Sequence, residues 1–295
     1  MEEWFEQLFQ GRWRGVRRGH FVLVSALVAA AWVALPLVVP FANACIVHAS
    51  ADGAPLLRAP SLAFFLGTDT VGRSEALRLV FAVRTSVSLA LPATLLATLL
   101  AVPLGAASAI AAAGGTNRTF SLTVDDVLTF ALDALLALPF VLVIAAAAAL
   151  SDEVGPIHLV AIMTFASVPA TAKLVRDRAL FLHASGYVQA AHALGAGSAH
   201  VLASHLLPRC FAFALALAPS TFAQLVVAEA ALGYLGLGLP PPAATLGSML
   251  ADGQDFFAEA PWLIVAPTLA LVALVLAAEG LARALRRPSG EADHG

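Results

Sequence analysis

Runs of about 20 apolar residues recur along this chain, and each is long enough to cross a hydrocarbon layer as a helix. Phe21–Phe41 is the first, without one Asp, Glu, Lys or Arg in it. Five more follow, at about Thr85–Ala112, Val127–Leu150, Ile157–Val175, Leu206–Val227 and Trp262–Ala278. With 60% hydrophobic and 12% charged residues in 295, a soluble globular domain is excluded as a reading. The expected fold is all-α, a polytopic helical membrane protein with six transmembrane helices. Prolines 92, 103, 139, 169 and 219 fall inside the spans and predict kinks.

The basic residues orient the spans. Arg12, Arg14, Arg17, Arg18, Arg118, Lys173, Arg176, Arg178, Arg209, Arg283, Arg286 and Arg287 fall on one face. Only Arg58, Arg73, Arg78 and Arg84 fall on the other. The richer face is cytoplasmic by the positive-inside rule. Both termini are therefore expected in the cytoplasm of a multi-pass protein of the inner membrane. The net charge of -3 carries less weight than this distribution. The basic stretch before Phe21 precedes an apolar run too long for a signal-peptide core, so no cleavable leader is expected. Cys45 and Cys210 have no metal-ligand spacing and are expected on opposite membrane faces.

One stretch on the cytoplasmic side is polar and punctuated by glycine: Gly186 to Pro208, GYVQAAHALGAGSAHVLASHLLP. Tyr187–Leu194 predicts a short helix capped by Ser185. Gly195 and Gly197 predict its end, through left-handed backbone angles. A second helix is expected from about Ser198 through His205 towards Pro208. Short helix, turn and re-entry helix together predict a loop that another protein grips.

Enzyme signatures are missing. Lys173, the only lysine, sits in ATAKLV without the glycine loop of a phosphate site, and neither HExxH nor G-x-S-x-G occurs. His183, His192, His200 and His205 share the loop, but their spacing does not set two on one helical face, so a metal site is not expected. Asp133, an acid inside an apolar stretch, is a candidate for the pathway or gate or for a structural role near a helix start. Glu229, at the outer end of the fifth span, is a candidate gate or docking contact or a plain interfacial acid. Gly236-Leu237-Gly238-Leu239-Pro240 cannot continue a regular helix and predicts a re-entrant or outer-face loop.

Gln189-Ala190-Ala191, then Gly195, then Leu206-Leu207-Pro208 resembles the EAA loop of ABC-transporter permeases, with Gln189 where that family usually has Glu. Three further stretches are similar to the dipeptide, oligopeptide and nickel importers, and within them to the second of two paired permeases. They are LGTDTVGR (66–73), LDALLALPF (132–140) and AEAALGYLGLGLPPPAATLGSMLADG (228–253). Ser74, Leu246 and Phe130 depart from the family's usual residues. The resemblance implies a MetI-like permease core over residues 80–286 with its coupling loop at 183–208. Residues 1–60 would hold the N-terminus, first span and start of the outer loop, and 287–295 a cytoplasmic tail. It implies a heterodimer with a second permease subunit, two ATPase subunits below, and an extracytoplasmic substrate-binding protein above. The chain itself would bind no cofactor, ATP being held by the partner ATPases, and no nucleic acid. Tyr187, Gln189, Ala190, Ala191, Gly195 and Pro208 would form the ATPase-coupling surface. The implied cargo is di- or oligopeptides, with nickel or another small solute as the alternative. An intramembrane enzyme or a non-transporting scaffold are the rivals outside transport.

Overall fold

The computed structural model describes residues 56–112, 129–134, 136–137, 140–149 and 155–286. The expected first span, Cys45, Arg118, Pro139 and the tail beyond Arg286 lie outside the described residues. Among the described residues, four helices are long and apolar enough to cross a membrane. They are α1 (Glu75–Ala112), α3 (Pro156–His183), α5 (Ser198–Tyr234) and α7 (Trp262–Leu285). Shorter helices lie between them: α2 (Phe140–Ala149), α4 (Gly186–Ala193) and α6 (Leu246–Gly253). Residues 129–134 are helical as well, within the expected third span. This is an all-helical, multi-pass membrane protein.

α1 has 38 residues and, at 1.5 Å per residue, runs about 57 Å, well past a ~30 Å hydrocarbon core. It begins at Glu75, ten residues before the expected start of that span. Its buried stripe is almost wholly small: Ala82, Ser86, Ala90, Ala93, Ala97, Ala101, Gly105 and Ala109. Helices in lipid gain no hydrophobic drive from meeting each other, so close backbone approach and the packing it allows hold them together. α1 and α3 use that device along their length. A Cβ on Gly105 would sit 2.3 Å from the Ala172 carbonyl oxygen, so only glycine fits there. Thr94, Thr98, Thr164, Ser167 and Thr171 are buried near this seam. Each donates its hydroxyl to a carbonyl one turn back on its own helix. These hydroxyls thereby find partners on their own helices, and Thr164 also reaches the Ala93 carbonyl of α1 at 3.4 Å.

Two apolar cores stack along the bundle. The one remote from α4, termed outer, joins α1, α2, α3, α5, α6 and α7 through Leu89, Ile144, Leu159, Met163, Leu225, Leu246 and Leu274. The inner one joins the far ends of α1, α3 and α5 to the loop helix through Val102, Val175, Leu182, Val188, Leu206 and Cys210. α3 runs eight residues past its expected end. Lys173, Arg176 and Arg178 are therefore on a helix that projects beyond the span, and they do not sit in a loop.

The LGTDTVGR stretch is a clamp at the outer end. Gly67 and Gly72 take positive φ there, which closes its turns. Asp69, buried, accepts from the backbone N–H groups of Val71 (2.9 Å) and Arg73 (2.8 Å) and from Arg73 Nε (2.6 Å). Arg78, on α1, approaches the same carboxylate at 3.6 Å and also pairs with Asp252 on α6. The Trp262 indole donates to the Thr68 carbonyl at 3.4 Å, fixing the start of α7 to this loop.

Candidate functional site

α4 is an eight-residue helix slung between two membrane-crossing helices. Ser185 precedes it in extended backbone, as an N-cap should, but its hydroxyl donates back to the Leu182 carbonyl and caps no N–H. One face is anchored: Val188 is fully buried in the inner core and the Tyr187 ring lies 4.1 Å from the Arg209 guanidinium carbon. A cation so placed on an aromatic face is held by the ring's quadrupole. The opposite face, Gly186, Gln189, Ala190, Ala193 and Leu194, is exposed at helical spacing and carries no charge. It is nearly flat except at one end, where Leu194 is 90% exposed.

Gly195 ends α4 at φ +92°, with its N–H on the His192 carbonyl at 2.9 Å. No atom lies within 4 Å of where its Cβ would be, so the requirement for glycine is conformational alone. Gly197 does not share it. Its φ is -69° in extended backbone, where it serves as the N-cap of α5. The re-entry helix does not end at Pro208 either. α5 runs unbroken from Ser198 to Tyr234, widening into a π turn at Leu202–Leu206. Pro208 explains the widening: it has no N–H for the Ser204 carbonyl and its ring crowds that oxygen, so the preceding turn loosens. Leu207 N–H accordingly reaches back five residues, to the Leu202 carbonyl.

The histidines that sequence spacing kept apart meet in pairs. His183 and His192 have ring centroids 5.5 Å apart, and His200 and His205, at either end of the π turn, 5.9 Å. Among the described residues no group of three metal-ligating side chains forms.

Tyr187, Gln189, Ala190, Ala191 and Gly195 thus share one short element, with Pro208 on the helix that leaves it. Gln189 turns its amide back to the Ala184 carbonyl at 3.2 Å. Leu194 had no signal in the sequence beyond its place before the glycine.

Asp133 and Glu229 belong elsewhere and not with each other. Asp133 forms an ion pair with Lys173 of α3, both side chains about half exposed. Glu229 lies mid-way up the outer half of α5, which continues to Tyr234, and is 1% exposed. The interfacial-acid reading is therefore corrected: this carboxylate is enclosed by helices. Ser86 Oγ on α1 donates to Glu229 Oε2 at 2.6 Å and accepts the Leu246 N–H of α6 at 3.3 Å. One hydroxyl so links three helices. The Gly236–Pro240 run is irregular, as expected, but it leads into α6, whose Thr245 and Ser248 form a reciprocal capping box.

The bundle thus carries a short uncharged helix between two spans at one end, and a Gly/Pro loop with a short helix at the other. A family model described as "binding-protein-dependent transport system inner membrane component" matches residues 59–288. The chain belongs to that family. Three permeases illustrate the likeness. A Brucella suis protein named as a peptide transport system permease is 34% identical over 230 residues, 77% of this chain and 73% of its own length. The di/tripeptide transport system permease protein DppC of Pseudomonas aeruginosa is 32% identical over 223 residues, 76% and 70% of the two chains. The dipeptide transport system permease protein DppC of Alkalihalophilus pseudofirmus is 26% identical over 261 residues, 88% and 82%. As a binding-protein-dependent permease the chain is a transport component, and the enzyme and scaffold rivals fall away.

Proposed function

We propose that this chain is one permease subunit of an ATP-driven importer that moves di- or oligopeptides across the cytoplasmic membrane. The observation that carries the reading is α4: a short helix anchored on one face and bare, small and uncharged on the other. The names of the three relatives support peptide cargo over nickel. In this reading the four described spans are part of six, with the termini and α4 cytoplasmic, as the distribution of Lys and Arg supports. A second permease completes the pathway, two ATPases hold the ATP, and an extracytoplasmic binding protein delivers substrate.

The exposed face of α4 seats in a groove of one ATPase. Ala190 and Ala193 permit close approach and Leu194 fills an apolar pocket. Gln189 contributes a neutral hydrogen bond, weaker than the charge-assisted one a Glu would make. ATP-driven closure of the ATPases moves α4, and the bundle rocks between inward-open and outward-open states.

The test is co-purification of the tagged chain with its membrane partners, alongside uptake of a radiolabelled dipeptide. Proline at 195 cannot adopt φ +92° and lacks the N–H bonded to His192. Gly195→Pro should retain the second permease, lose the ATPases and abolish uptake. Wild type that never recovers an ATPase, or a variant that imports dipeptide normally, would defeat the proposal.

A further inference from the structure

Between α1, α5 and α7 lies a groove of about 160 Å³ with wholly apolar walls. Leu95, Pro219, Phe222, Leu274, Ala278 and Leu281 line it. The space exists because alanines at 218 and 278 leave it unfilled between larger side chains. Thr94 also borders it, but its hydroxyl is donated to the Ala90 carbonyl at 2.7 Å and so offers the groove no partner. Leu91 and Leu95 are partly exposed at its rim. A site of this size is near the volume of a cavity that stays dry and takes one small hydrocarbon. It is far too narrow for a helix of about 10 Å diameter.

A charge lies beyond one end of the groove. Arg286, exposed, closes α7 and donates to Ser220 Oγ, and Ser220 directly follows the groove-lining Pro219. From Arg286 to Leu274 is twelve residues of α7, about 18 Å at 1.5 Å per residue. That is somewhat more than half of a ~30 Å hydrocarbon core, the depth one leaflet's acyl chain reaches. A narrow apolar slot, with a guanidinium five residues past its last α7 lining residue, Leu281, matches an acyl chain joined to an anionic headgroup. Arg presents its donors in a fork suited to a phosphate.

We propose that this groove holds an anionic phospholipid, one acyl chain along Leu274–Leu281 and its phosphate on Arg286. The complex of full-length chain and partners is assembled in nanodiscs of phosphatidylcholine with increasing phosphatidylglycerol. Tightly retained phospholipid is then quantified by mass spectrometry after delipidating washes. Wild type should keep about one equivalent of phosphatidylglycerol. Arg286→Gln, at an exposed position, should reduce retention of phosphatidylglycerol over phosphatidylcholine by about tenfold, the worth of one charge-assisted contact. Ala278→Trp, which fills the slot, should abolish retention of both. Equal retention of the two lipids by wild type, or phosphatidylglycerol retention that neither substitution alters, overturns the proposal. So does a disulfide from Ala278→Cys to a cysteine in the second permease or in residues 21–41, which would put protein in the groove.

Discussion

Replacing Gly105 by alanine tests the close seam between α1 and α3. The added Cβ would lie 2.3 Å from the Ala172 carbonyl oxygen, 2.9 Å from the Arg176 nitrogen and 2.9 Å from the Val175 Cβ. Two of these three are backbone atoms of a long helix, so no side-chain rotation relieves the overlap. Ordinary contact begins near 3.4 Å, so the helices must part locally by about 1 Å. A gap of that size forfeits a quarter to a half of each lost dispersion contact, and overpacking of this kind costs about 1–3 kcal/mol. Alanine's better helix propensity returns up to about 1 kcal/mol, leaving a net loss of about 1–2 kcal/mol. For a chain of this size that lowers Tm by about 2–8 °C. The control is Gly186→Ala on α4, where no atom lies within 4 Å of the added Cβ. There propensity acts alone, and Tm should hold or rise slightly. Differential scanning fluorimetry of both purified variants in one detergent reads the two signs. A Gly105→Ala protein that melts with wild type or above it would refute the packing argument.

Three other substitutions probe the ends of the bundle. Asp69→Asn removes the charge that Arg73 and Arg78 share, and should cost about 3 kcal/mol, seen as a lower Tm and as faster proteolysis of the 66–73 loop. Ser86→Ala deprives Glu229 of its donor and the Leu246 N–H of its acceptor, for a loss of about 1–3 kcal/mol. In that variant Glu229→Gln should restore nothing, because the missing hydroxyl served two partners; recovery of Tm would show that charge alone was at stake. Pro208→Ala returns a donor to the Ser204 carbonyl, so the π turn should tighten to an α turn and Tm should rise. Peptide uptake should fall in the same protein, since α4 is then reset against the bundle, and unchanged uptake would separate the π turn from coupling.

Much of the coupling loop was legible in the sequence because its signals are local. A helix-former run closed by Gly195 needs only backbone sterics, and the bounds of α4 differ from expectation by one residue at each end. What failed was anything that depended on a neighbour. Ser185 stands where a cap should be, yet its hydroxyl prefers a carbonyl one turn back. Gly197 looks like a second left-handed residue, but Ser198 needed an extended predecessor. His200 and His205 are five apart, a spacing that an α-helix separates and the π turn brings together. Glu229 reads as a gate, a docking contact or an interfacial acid at the end of its span because span edges drawn from hydropathy stop at Val227, whereas the outer core carries α5 on to Tyr234. Leu194 could not be told from a core leucine, since periodicity marks a face and not what covers it.

α5 begins beside the coupling helix and ends beside the outer face, without a break. Ser198 follows the Gly195 turn; 31 residues on, Glu229 meets Ser86 and the start of α6. The element is about 46 Å long between those two points, at 1.5 Å per residue, and in the proposed transport cycle it serves as a push-rod. Its π turn lies at the end beside α4, and Pro219 interrupts the backbone hydrogen bonding part-way along. In the proposed cycle a displacement delivered at the base reaches the joint of Ser86, Glu229 and Leu246 along one continuous element.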